Sequence, residues 1–378
     1  MDHPVVLSDL SPQAAMVIGD KAPPKMKMAA ATGLLPLGPT DLISVLYVLS
    51  YSNDKALADK ALNSLQNLPD NILLSTLEQK LDEGVIDGLA HHLISKANAI
   101  EKILLNPATA DETACWITTK TNFERLLEIV AANEERMLRH QQIIEALYMN
   151  KAARMSTVDR AIELAIRNGL NLTGIPTFAE AKAAIEGQLI IEPSDEPSPT
   201  DLLFNNVLED AQENDIDEER VHEVLEAVES GEEIAENSNK QKVATIEATL
   251  SQLSVSEKIR MAMLGNASQR AVLARSSNKL VTMAVLKSPA VSESEIMRFT
   301  KARSLPEEAI RYIAHRREWT KHYQIKLNLV NNPRTPLQDS LHFLSYLRLN
   351  DIKLLERSRD VPSAIASAAK QLRQKRTK

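Results

Sequence analysis

The chain has 378 residues, enough for two or three ordinary domains or one long array. Hydrophobic residues make up 44%, aromatics only 3%, the net charge is −7, and Cys115 is the single cysteine, which excludes an intramolecular disulfide and a four-cysteine metal or iron–sulfur site. With no run near the ~18–20 apolar residues that cross a bilayer, and no basic n-region followed by an apolar core at the N-terminus, neither a membrane span nor a signal peptide is expected, and the expected location is cytoplasmic.

Residues 1–35 read as a flexible lead: Ala22-Pro23-Pro24-Lys25 interrupts them and no apolar period runs through. From Pro39 the pattern turns helical, with Leu42, Val45, Leu46 and Leu49 on one face and Thr40 as N-cap. Helices are predicted over 54–67, 71–81, 84–95, 97–105, 109–119, 123–132, 134–149, 156–168 and 178–189, with short links carrying Pro, Asn or Gly. Such links make antiparallel neighbours. Residues 36–190 therefore form a first helical-repeat array.

Glu192-Pro193-Ser194-Asp195-Glu196-Pro197-Ser198-Pro199 has the composition of an extended linker. It opens an acidic stretch, 191–242, in which Leu202–Leu208 and Val221–Val228 carry helical spacing, either as short helices or as motifs that fold on contact. A second array, 243–378, follows. Its helices are predicted over 243–252, 256–264, 267–275, 279–287, 292–302, 306–314, 317–330, 336–347, 351–357 and 361–373.

The two arrays echo each other. At a shift of 182, Leu104, Pro107, Ala108, Thr118, Ala132, His140, Leu147 and Asn150 fall on Leu286, Pro289, Ala290, Thr300, Ala314, His322, Leu329 and Asn332. A shift of 44 lays Pro289, Phe299 and Leu305 on Pro333, Phe343 and Leu349. Similarity at a fixed period points to stacked supersecondary units. Charge, in contrast, divides the chain: residues 1–191 carry −6, 192–242 carry −14 and 243–378 carry +13.

Asn331-Asn332-Pro333-Arg334-Thr335-Pro336, followed by Leu337, Leu341 and Leu344, resembles the leucine-rich repeat variant module, with HEAT-type repeats as the neighbouring family. Lys287-Ser288-Pro289 and Asn106-Pro107-Ala108-Thr109 look like degenerate copies. The resemblance covers mainly 280–370 and implies an all-α, right-handed solenoid rather than an activity. Some members of that family hold an iron–sulfur cluster on clustered cysteines, which this chain lacks. Arg316-Arg317-Glu318-Trp319-Thr320-Lys321 is also similar to a stretch of uncharacterised bacterial proteins.

Catalytic signals are poor. The ten glycines form no nucleotide loop, and Gly84 and Gly88 read as tight packing points. His315, Glu318 and His322 share helical spacing, but Arg316, Arg317 and Lys321 would repel a metal. Asp215, Asp217, Glu219 and Glu226 suggest a calcium loop except that Arg220 stands where glycine is needed. Cys115 beside Trp116 reads as a structural thiol. No cofactor, metal or catalytic residue is therefore assigned.

The basic array carries more information. Arg298, Lys301, Arg303, Arg311, Arg316, Arg317, Lys321 and Lys326, with Trp319 among them, are the candidate partner-binding residues. Equivalent positions of successive repeats line one surface. The apolar counterpart of Trp319, Met137, favours a core position for the indole. The expected function is a non-enzymatic protein–protein scaffold with an acidic protein partner, its basic array masked by intramolecular contact with the acidic linker. The alternative is nucleic-acid binding by the basic array, as in a HEAT-like DNA-repair protein.

Overall fold

The computed structural model describes residues 10–19, 21–186, 196–213, 218–230, 237–358 and 361–377. Among these there are twenty-six helices and no strand, and no helix is long and apolar enough to cross a membrane. The chain divides into two compact units, Met1–Leu170 and Asn171–Lys378.

In the first unit the described part of the expected lead is folded. Helices Pro12–Ile18 and Pro24–Ala31 each begin with proline at the first turn, where its missing N–H costs nothing. They bury Ala14, Val17, Ala30 and Ala31, and Ser64 Oγ donates to the Ala31 carbonyl at 2.6 Å. Burial through alanine leaves little hydrophobic period to read. Helix Pro39–Ser50 starts two residues earlier than its pattern suggested, with Gly38 rather than Thr40 as N-cap. Its residues 43–49 are all buried. Gly88 of helix Glu83–Leu93 lies against it so closely that a Cβ there would sit 1.9 Å from the Tyr47 ring.

Beyond this point helices pack on the next but one: Asp70–Leu77 on Ala97–Leu105, and Ala97–Leu105 on Glu124–Ala132. The second unit shows the same habit, with Lys279–Lys287 on Glu307–Ala314 and Glu307–Ala314 on Tyr323–Asn331. Six consecutive helices correspond at the 182-residue shift. Ala97–Leu105, Asp111–Lys120, Glu124–Ala132, Glu134–Arg139, Gln142–Met149 and Met155–Arg167 answer to Lys279–Lys287, Glu293–Phe299, Glu307–Ala314, Arg317–Thr320, Tyr323–Asn331 and Leu337–Leu344. The long helices expected over 134–149 and 317–330 are each two helices, broken around the equivalent His140 and His322.

The boundary falls at Leu170/Asn171 rather than in the acidic stretch. Phe178–Ile185, expected within the bounds of the first array, packs on Val255–Leu264 and Lys279–Lys287 of the second unit. The acidic stretch itself folds as Pro199–Glu213 and Glu218–Ser230, while 187–195, 214–217 and 231–236 lie outside the described residues. Phe204 is fully buried with the Arg260 guanidinium 5.1 Å from its ring centroid, and Gln269 Nε2 donates to the Val207 carbonyl at 2.9 Å. Val221, Val224 and Leu225 join Val243 and Ala271 in one apolar cluster. Apolar faces of this kind hold the helices to the unit whatever their charge.

Candidate functional site

A hydrogen-bonded clamp recurs in both units. Asn106 Nδ2 donates to the carbonyls of Leu77 and Gln79 at 2.6 and 2.9 Å. Asn150 does the same to Thr118 and Thr121 at 2.6 and 2.9 Å, and Asn332 to Thr300 and Ala302 at 2.8 and 3.0 Å. In each case Oδ1 accepts from the backbone N–H two residues on: Ala108, Ala152 or Arg334. Ser288 holds the fourth corresponding position and accepts from Ala290 N–H at 3.3 Å. A buried asparagine thus satisfies carbonyls at the end of an earlier helix, which would otherwise lack donors.

Beside the Ser288 turn lies a groove of about 560 Å³, lined by Leu286, Lys287, Tyr312, Arg316, Glu318 and Trp319 among others. The Tyr312 and Trp319 rings meet near edge-on at 5.9 Å. The Arg316 guanidinium stands 4.7 Å over Tyr312 and bonds its hydroxyl, with Glu318 at 3.8 Å. Lys287 Nζ reaches Glu180 Oε1 at 2.6 Å. Trp319 is 8% exposed and its counterpart Met137 1%, so the indole is a core residue whose edge reaches the groove.

The first unit holds a groove of about 440 Å³ at corresponding positions. Leu104 stands for Leu286, Leu105 for Lys287, Val130 for Tyr312, Glu134 for Arg316 and Arg136 for Glu318.

Of the sequence-derived candidates, Arg316 and Trp319 line the second unit's groove, and Arg311 and Arg317 neighbour lining residues in the chain. The rest do not converge. Arg298 is half-buried near His222, Lys301 and Arg303 are exposed, and Lys326 lies 5.2 Å over the Tyr346 ring. The stripe is also less positive than its count of cations suggested: Arg311 pairs with Glu307 at 2.6 Å and Lys321 with Glu293 at 2.9 Å. Tyr312 was not singled out in the sequence, although its replacement of Val130 by an aromatic with a hydroxyl was a signal.

The remaining chemical candidates disperse. His315 pairs with Asp339 and His322 with Glu293, so these histidines face different carboxylates. Among the described residues no group of three or more His, Cys, Asp or Glu is arranged to hold a metal, and 215–217 of the calcium-like spacing lie outside them. Burial, then Glu145 and Glu112, push the Cys115 thiol pKa up, away from a reactive thiolate. Comparison with protein-family models, curated proteins and solved structures returns no match.

Proposed function

We propose that this chain is a non-enzymatic protein-binding scaffold, and that the groove around Tyr312 and Trp319 is its main docking site, for an acidic protein segment. The proposed architecture is a right-handed α-solenoid of the leucine-rich repeat variant or HEAT-like kind. Next-but-one packing and the recurring asparagine clamp support it.

The observation that carries the docking site is the pair Arg316 and Arg317. Arg316 is the N-cap and Arg317 the first residue of the four-residue helix Arg317–Thr320, at the positions where the corresponding helix of the first unit begins with Glu134 and Glu135. Two arginines standing where the equivalent helix carries two glutamates, beside an aromatic groove, suit a function rather than the fold. Interleaved acids such as Glu307, Glu293 and Glu318 break the field that a phosphate backbone would need, which favours a protein partner over nucleic acid. Masking by the acidic helices is proposed for the arginines they cover, Arg260 above all, and not for this groove, which they do not line among the described residues.

Fluorescence anisotropy with the full chain tests the reading, using a leucine-bearing acidic peptide and, in parallel, duplex DNA. The peptide is expected to bind and to weaken roughly tenfold in the R316E/R317E variant. Tight DNA binding with a steep salt dependence and no peptide binding would favour the nucleic-acid alternative.

A further inference from the structure

The groove of the first unit has the same framework and the opposite rim. Glu134 and Glu135 stand where the second unit has Arg316 and Arg317, and Leu105 stands in place of Lys287. Leu105 is 61% exposed at the end of helix Ala97–Leu105, above a floor that includes Leu104, Ile129 and Val130. Helix-start preference accounts for acids at 134 and 135, but it does not account for a large apolar side chain left in water beside an apolar floor.

Among the described residues, the one cation of the lining is neutralised. Arg136 is 9% exposed; it donates to the Leu104 and Thr109 carbonyls at 3.2 and 3.1 Å and lies 3.3 Å from Asp111. Glu134 has no ion pair among the described residues. The side chain of Glu135 is 90% exposed, with Arg139 no nearer than 3.7 Å, and Arg139 itself is held by Asp111 at 2.6 and 2.8 Å. The rim therefore offers negative charge around an apolar floor.

We propose that this groove is a second docking site, for a basic protein segment that places one apolar side chain against Leu105, Ile129 and Val130. The proposal rests on the reading of the second unit's groove as a docking site. Its complementary sign excludes an anionic occupant, so one chain offers sites for two partners of opposite charge.

The test uses the full chain and a labelled twelve-residue basic peptide with one central leucine, at physiological salt. E134R/E135R is expected to weaken it roughly tenfold, and L105A by a comparable factor through lost apolar contact. Both sites are exposed, and unchanged thermal unfolding confirms that the variants fold. Affinity unchanged in L105A would reveal general attraction to an acidic surface and overturn the proposal. If the basic peptide fails to bind while the acidic peptide still binds, the second site falls and the scaffold stands. If neither binds, both fall.

Discussion

The side-chain amide of Asn332 donates to the carbonyl of Thr300 at 2.8 Å, and Asn150 stands in the same relation to Thr118 at 2.6 Å. Residue pairs 182 apart in sequence thus make one bond in two places. Each asparagine adds a second bond to a nearby carbonyl and accepts a third from its own turn, tying two stretches about thirty residues apart.

Asn332→Ala removes all three bonds and leaves buried carbonyls without donors, an expected loss of about 2–4 kcal/mol. Asn332→Asp should be no better, because a carboxylate cannot donate. Urea unfolding measures both. Asn331→Ala, at an exposed helix end where the amide bonds the Leu327 carbonyl alone among the described residues, should stay within about 0.5 kcal/mol.

Gly88→Ala should destabilise although alanine is the better helix former. The added Cβ meets the buried Tyr47 ring at 1.9 Å, and overpacking of this kind costs about 1–3 kcal/mol. Combining G88A with Tyr47→Leu should cost less than the two changes summed, because the smaller side chain removes the clash. Thermal unfolding of the four proteins of the cycle decides it.

Arg270 and Glu295 form a two-pronged ion pair at 2.8 and 3.1 Å, with side chains only 6% and 1% exposed. Glu295 also accepts from the Ser292 N–H at 2.8 Å, closing a capping box. Arg270→Met strands that carboxylate and should cost about 3–5 kcal/mol. The R270M/E295Q double variant should recover part of the loss in denaturant titrations.

His222 is 3% exposed, neither ring nitrogen has a hydrogen-bond partner among the described residues, and its ring lies 5.6 Å from that of Phe299. Burial, with Arg275 and Arg298 adding repulsion, lowers its pKa to about 3. The unfolded chain therefore binds the proton first. The stability His222 contributes is complete above pH ~6.5 and falls as pH drops toward 3, with on the order of 2 kcal/mol lost by pH 5. His222→Phe should flatten the fall between pH 7 and pH 5 by that amount; an unchanged profile would show that the imidazole is not buried as described.

The all-helical class and most helix positions were legible because leucine spacing and Asn/Pro links are local signals. Helices Ala97–Leu105 and Lys279–Lys287 fall where the spacing put them. The clamp was half legible: the prolines at 107, 289 and 333 marked the turns, but Asn150 has no proline, and its pairing at the same 44-residue interval from Asn106 emerged only from its bonds to Thr118 and Thr121. The helices over 12–31 were hidden because alanines bury without a pattern. Trp319 was legible as core through Met137. The groove was not: Tyr312 stands only four residues before Arg316, but Lys287 comes beside them only through helix packing.

Amide hydrogen exchange on the full chain, with and without the leucine-bearing acidic peptide, tests the central claim most directly. The account expects added protection confined to 286–291 and 312–320, the turn and helices around Tyr312 and Trp319, and loss of that protection in R316E/R317E. Protection elsewhere in the second unit with these segments unchanged, or identical protection in the variant, would contradict it.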